Sequence, residues 1–205
     1  MNKHSDIYEI KNKVKQIKQS FRFYMNGVTA ESLRKKGLNY KICWGVSLQH
    51  LQEMASEYGK HPILAEELWK SEVRECKILA ILTYPVNHFT QQVAETWIKG
   101  IDNQELAELL VFNILQHVSY SKEFSFELLM NDDFIHQLCA FNLLCRLFMK
   151  SVRLNEDEIE VYIKNSQTVL AGDNLILKHS VINSLIRFVD CMPEYKEEVY
   201  NIIDV

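Results

Sequence analysis

Gly100-Ile101-Asp102-Asn103-Gln104-Glu105-Leu106-Ala107-Glu108-Leu109-Leu110-Val111-Phe112-Asn113-Ile114-Leu115-Gln116-His117-Val118 carries the pattern that decides the fold. Gly100 ends one helical pattern and Asp102 opens the next. Asp102 and Glu105 have the spacing of a capping box, in which two side chains cover orphan N–H groups at a helix start. Leu106, Leu109, Leu110, Ile114 and Val118 then recur at helical spacing, which predicts a helix over 102–118 lying against a core. Gln104 and Glu108 stand one turn apart on another face. That face is where chemistry is expected, with an ordinary solvated stripe as the alternative.

The same periodicity extends in both directions. Towards the N-terminus it predicts a helix from Ser5 to about Met25, with Ile7, Ile10, Val14, Ile17, Phe21 and Tyr24 as its stripe. Thr29 is read as the cap of a short helix that Gly37 ends. Residues 38–46 read as a loop. Ser47 caps a helix to Tyr58 with Leu48, Leu51, Met54 and Ala55 inward and Gly59 as its stop. Pro62 opens a helix whose stripe is Ile63, Leu64, Leu68 and Trp69. Ser71 is read as the cap of the next, and Thr90 to Lys99 forms another.

Towards the C-terminus, a short helix over 121–130 precedes a long, very apolar one that starts at Asp132 or Asp133 and ends near Lys150. A helix apolar on nearly every side belongs between neighbours. Asn155 caps a helix to Leu170 that Gly172 stops, Asn174 to about Asp190 is another long helix, and Pro193 opens the last. No stretch alternates with period two for long enough to make a strand. The expected count is ten or eleven helices. Four apolar ones begin near 72, 103, 133 and 174, at intervals of about 30–40 residues, the signature of stacked helix pairs that cannot bury their faces alone. The expected fold is therefore all-α, a curved stack of HEAT-like antiparallel helix pairs forming a single domain over residues 1–205. An irregular bundle is the alternative.

Composition bounds the function. Hydrophobic residues make up 47%, with only six Gly and three Pro in 205 residues, which disfavours a turn-rich β protein. No apolar run reaches the roughly 18–20 residues that span a bilayer, and the N-terminus lacks a signal peptide's apolar centre. An intracellular, cytoplasmic protein without membrane attachment is expected. The five cysteines (43, 76, 139, 145, 191) are odd in number and unspaced for zinc, and the seven histidines form no ligating pair. No metal and no cofactor are expected. There is no Gly-x-Ser-x-Gly elbow and no Gly-rich phosphate loop.

Charge is uneven. Residues 1–41 carry ten Lys/Arg and three Asp/Glu, net +7, whereas the remainder is −11. A basic arm on an acidic body suits a polyanion partner, with a solvated lysine-rich face as the alternative.

Several motifs resemble one family. Gly45-Val46-Ser47-Leu48 is followed by Leu51, Ala55 and Gly59-Lys60, then by Leu68-Trp69-Lys70-Ser71, Glu75, Ala80 and Leu82. Arg187-Phe188 leads through Pro193-Glu194 to Val199. In order and spacing these resemble the AlkD-like DNA alkylation repair glycosylases, from about residue 24 onward. The resemblance implies a HEAT-like fold whose concave surface holds duplex DNA and excises an alkylated base by hydrolysis, without a cofactor. The family's Trp-Asp-x-x-Asp motif falls on Gln104-Glu105-Leu106-Ala107-Glu108, so Glu108 takes the catalytic carboxylate's place and Gln104 that of the Trp. The chemistry needs an anion beside an oxocarbenium-like sugar. The family's DNA-holding Arg falls near Leu138, and its later aromatic near residues 182–183.

On this reading Lys11, Lys15, Lys18, Arg22, Lys35, Lys36 and Lys41 meet phosphates, and Tyr40, Trp44 and Trp97 are the aromatics near the groove. Core packing is the alternative for Trp44, Trp69 and Trp97. The competing function is a non-catalytic HEAT-like scaffold whose concave face binds a protein or a nucleic acid.

Overall fold

The computed structural model describes residues 3–203, with side chains described from Ile7 onward. Among the described residues there are twelve α-helices and four short 3₁₀ turns. No strand forms; a lone bridge joins Ile42 to Val73. The protein is all-α. The count exceeds the expected ten or eleven although each of the twelve falls on a segment that the sequence pattern marks as helical, the two short ones Gly27–Lys35 and Lys196–Ile203 included.

The chain divides into two compact units, Met1–Val93 and Ala94–Val205. The first holds α1 (Lys3–Ser20), α2 (Gly27–Lys35), α3 (Leu48–Tyr58), α4 (Pro62–Trp69) and α5 (Arg74–Thr83). The boundary falls within α6 (Gln91–Lys99). The second unit holds α7 (Gln104–Asn113), α8 (Ser121–Leu129), α9 (Phe134–Met149), α10 (Glu156–Ala171), α11 (Leu175–Cys191) and α12 (Lys196–Ile203).

In the first unit α5 packs on α3 and α4, and α1 packs on α4. Ile17, Phe21, Leu51, Leu64, Leu68, Ile78 and Leu79 are its fully buried residues of largest effect, each contributing about 1.5–3 kcal/mol by leaving water. The expected stripes are narrower than the sequence pattern suggests. Ile7, Leu48 and Ile63 face solvent, because two neighbours suffice to cover only part of each helix.

Four expected boundaries move, each for a hydrogen-bonding reason. α1 stops at Ser20 rather than Met25: the Ser20 hydroxyl donates to the Ile17 carbonyl at 2.8 Å, and the chain tightens into a 3₁₀ turn over Phe21–Phe23. Ser5 lies inside α1, and its side chain is outside the described residues. α2 is capped by Asn26, whose Oδ1 accepts the Thr29 N–H at 3.1 Å, so Thr29 is the third helical residue and not the cap. α5 has no side-chain cap. Ser71 accepts from Val73 N–H ahead of it, and the Arg74 N–H is taken by the Ile42 carbonyl at 2.9 Å.

The fourth boundary is in the stretch that opened the sequence reading. The cap of α7 is Asn103, whose Oδ1 accepts from Leu106 N–H at 3.2 Å. Asp102 instead accepts from the Asn103 amide at 2.7 Å. α7 ends at Asn113, not Val118. There the Asn113 and Gln116 side-chain amides donate to the Leu109 and Phe112 carbonyls, and a 3₁₀ turn over Leu115–His117 follows.

The second unit is built around α9, which packs on α7, α8 and α11. Leu138, Cys139, Phe141, Leu143 and Leu144 are fully buried, as an all-round apolar helix requires. Asp133, the second of the two candidates, caps it. Phe148, Tyr162 and Phe188 stack with centroids 5.2–5.4 Å apart. The buried Tyr162 hydroxyl donates to Ser184 Oγ at 2.8 Å, and burial pushes its pKa up. Asn155 with Glu158 forms the one capping box found, at the start of α10.

Candidate functional site

Three helices of the second unit converge on a cleft of about 410 Å³, within the range of small-molecule sites, roughly 300–1,000 Å³. α7 contributes Glu108 and Phe112, α9 contributes Asn142 and Arg146, and α11 contributes Asn183 and Arg187. Val111, Met149 and Ile186 supply apolar wall.

Glu108 is exposed, and Gln104 donates to its Oε1 from Nε2 at 2.6 Å. The pair expected one turn apart on α7 is therefore joined, and Glu108 lines the cleft. It is the single carboxylate among the lining residues.

The cations are placed by packing rather than by ion pairs. The Arg146 guanidinium lies 4.8 Å from the centroid of Phe112, whose ring is half exposed. Arg146 Nε donates to Gln116 Oε1 at 3.4 Å, and Lys150 Nζ donates to the Gln116 carbonyl at 2.5 Å. Gln116 is itself buried and anchored to the Phe112 carbonyl. Among the described residues neither Arg146 nor Lys150 meets a carboxylate, so their charge is not neutralised locally. Burial first, and then Arg146, lower the Lys150 pKa; burial first, and then Lys150, lower that of His117. Arg187 differs, pairing with Asp190 at 2.9 Å.

Two further groups complete the wall. Asn142 Nδ2 is buried and has no hydrogen-bond partner among the described residues, so a donor on the cleft wall is left for a ligand or water to satisfy. Cys145 Sγ donates weakly to the Asn183 carbonyl at 3.7 Å, and burial raises its pKa, so it is a neutral thiol and a poor nucleophile.

The remaining candidates lie elsewhere. Trp97 is buried at 3% exposure, which leaves no ring face open to a base. Lys11, Lys15, Lys18, Arg22, Lys35, Lys36 and Lys41 all belong to the first unit. Of these, Lys35 pairs with Glu31 at 2.9 Å and Lys41 with Glu72 at 2.6 Å. Lys11 borders a shallow recess with Glu66 and Glu67. Lys15, Arg22 and Lys36 are exposed, and Lys18 is half-buried. Tyr40 faces the Arg74 guanidinium at 5.9 Å, and Trp44 faces that of Arg22 at 6.0 Å. No group of three ligating side chains suited to a metal occurs among the described residues. No described helix is long and apolar enough to cross a membrane.

Sequence reasoning missed the arginines. Leu138, near which the family's DNA-holding Arg falls, is fully buried. The cation that α9 brings to the cleft is Arg146, two turns further along and the only Lys or Arg in that helix. A lone Arg in an otherwise apolar helix was the available signal. Phe112 read simply as an apolar residue of α7.

In the first unit the sequence also missed what Glu75 does. It is fully buried. Its Oε1 accepts from the N–H groups of Trp44, Gly45 and Val46 at 3.1, 2.9 and 3.3 Å, and Arg74 stands 3.3 Å away. The Gly-Val loop is thus wrapped around a carboxylate.

Comparison with known proteins gives two findings. Residues 17–185 match the profile of the family described as DNA alkylation repair enzyme. A solved structure described as belonging to a new family of proteins related to the HEAT-like repeat DNA glycosylases, with affinity for branched DNA structures, superposes with a TM-score of 0.78 at 14% identity, covering 92% of this chain and 80% of that one. No curated protein matches the chain by sequence.

Proposed function

The chain belongs to the DNA alkylation repair enzyme family, and on that premise we propose that it binds DNA through the cleft between α7, α9 and α11. The observation that carries the proposal is the composition of that cleft. Arg146 lines it beside the half-exposed ring of Phe112, oriented by Gln116 and without an ion pair among the described residues, and Lys150 is held to the same Gln116. Cations supply affinity for phosphates by releasing counterions. An exposed ring offers a base a face to stack on.

A second, finer reading is supported by Glu108. It lines the same cleft, and the sequence resemblance puts it at the family's carboxylate position. When an alkylated base leaves, the C1′–N bond breaks with its electrons going to the base, and positive charge develops on the sugar. A fixed carboxylate beside that charge lowers the barrier. Water then bonds to C1′ and loses its proton to solvent. Gln104 holds the Glu108 carboxylate in one orientation, which offsets part of the freedom gained from its extra methylene.

Fluorescence anisotropy on duplex and branched DNA tests the first reading. Arg146→Ala weakens binding and reduces the slope of log affinity against log salt by about one; an unchanged slope rejects the cleft as the phosphate site. Base release from a duplex carrying a single 7-methylguanine tests the second. The native protein releases base and Glu108→Gln does not; no release above the spontaneous rate by the native protein rejects excision while leaving DNA binding intact.

A further inference from the structure

The first unit exposes a cluster of apolar side chains that its core does not use. Phe23 is 84% exposed, Val28 81% and Met25 61%. They belong to one short loop, from the 3₁₀ turn after α1 to the first turn of α2. Buried apolar surface is what stabilises a fold, so an exposed ring at a loop tip contributes nothing to this one.

The loop is tied to its own unit at several points. Phe21 anchors one end at 0% exposure, and Tyr24 stacks on His50 with ring centroids 3.7 Å apart. The Asn26 N–H donates to the Trp44 carbonyl at 2.9 Å, and the Asn26 side chain caps α2. Gly45 has φ +72° and lies so close that a Cβ there would fall 2.1 Å from the Asn26 carbonyl oxygen. The Glu75 carboxylate fixes residues 44–46 from behind. A buried acid thereby braces the tip that carries Phe23.

The stretch of sequence that carries the tip is cationic. Residues 18–41 carry six Lys or Arg and one acid, on a chain that is otherwise net acidic. Arg22 immediately precedes Phe23 and is exposed. An apolar tip with basic flanks suits an anionic strand whose base faces are open.

We infer that the Phe23–Val28 loop is a stacking wedge, which places Phe23 against unpaired base faces of branched or frayed DNA while Arg22, Lys36 and their neighbours meet the phosphates. Apolar wedges that enter base steps are a recurrent device of architectural DNA-binding proteins. Paired duplex hides its base faces, whereas junctions and forks expose them, so the wedge confers a preference for branched DNA. The inference rests on the reading that this chain binds DNA.

The test compares affinity for a forked DNA and for a duplex of the same sequence at one salt concentration, by fluorescence anisotropy with the full chain. The native protein prefers the fork. Phe23→Ala lowers fork affinity by about tenfold, the scale of one lost base–aromatic stack, and duplex affinity by less than about twofold; Phe23→Trp retains the preference. With 2-aminopurine at the fork, native protein raises the fluorescence by unstacking the probe and Phe23→Ala does not. Because Phe23 is almost fully exposed, these variants fold, which circular dichroism checks. An unchanged fork-to-duplex ratio in Phe23→Ala overturns the wedge. So does loss, in that variant, of binding to phosphatidylserine vesicles or of a native dimer seen by sedimentation, since either assigns the patch to lipid or to a second copy. If the native protein binds neither DNA, the DNA-binding reading falls and the wedge falls with it.

Discussion

Glu75 and Glu108 are both glutamates on helices, and they do opposite things. Glu75 lies in α5 of the first unit at 0% exposure, with three backbone N–H groups and a guanidinium directed at one of its oxygens. Glu108 lies on α7 of the second unit, faces a cleft, and has one side-chain amide as partner. The first carboxylate has its acceptor capacity spent on the fold; the second has most of it left. A buried anion survives only when it is paired and hydrogen-bonded, so Glu75 must be structural. An exposed carboxylate with one amide partner, in a cleft that also holds the unpaired Arg146, is available to a ligand, and for that reason Glu108 is the better candidate for chemistry.

The largest effect that follows is on Glu75→Ala. It leaves three N–H groups of the 44–46 loop without an acceptor and Arg74 buried without its anion, and the cost is about 3–5 kcal/mol. Urea unfolding measures it, and a loss below about 1 kcal/mol would make Glu75 an ordinary buried side chain and break the contrast. Next comes Gly45→Ala. The new methyl would overlap the Asn26 carbonyl oxygen at 2.1 Å, and φ is +72°. Backbone strain of this kind costs on the order of 1–3 kcal/mol. Thermal unfolding reads the loss, and the weakening should extend to the fork preference carried by Phe23, because Asn26 is the residue displaced.

What the sequence made legible was local. Ser47 and Asn155 cap helices where their side chains predict, and α9 is buried where its composition predicts. Two errors of cap placement came where capping residues stand close together, and the third, at Ser71, where the helix start is held by the Ile42 carbonyl instead of a side chain. Asp102 precedes Asn103, and Asn26 lies three before Thr29; local propensity does not choose between them, whereas packing does. Asn103 is buried and Asp102 exposed. The candidate site was half legible. Glu108 and Gln104 follow from spacing within one helix. Arg146, Asn142 and Arg187 become site residues only when α9 and α11 are laid beside α7, a non-local fact. Glu75 was hidden for the same reason: its partners are backbone groups 29–31 residues away, and a backbone N–H leaves no mark in a sequence.

The smallest effect on stability sharpens the comparison most. Glu108→Gln removes a charge from an exposed side chain and keeps its shape. The Gln104 amide still finds an oxygen one turn away, and no buried group loses a partner. Surface changes of this type stay within about 0.5 kcal/mol. Two guanidiniums, Arg146 and Arg187, border the same cleft, so removing the anion strengthens the attraction of the cleft for phosphate. Unfolding midpoints of native and Glu108→Gln protein should therefore coincide while the variant binds undamaged duplex somewhat more tightly. A variant that is both destabilised and weaker in binding would place Glu108 with Glu75, as a carboxylate spent on the fold. Unchanged stability with tighter binding leaves it as a charge kept at the cost of affinity, which a protein retains only where that charge acts on the ligand.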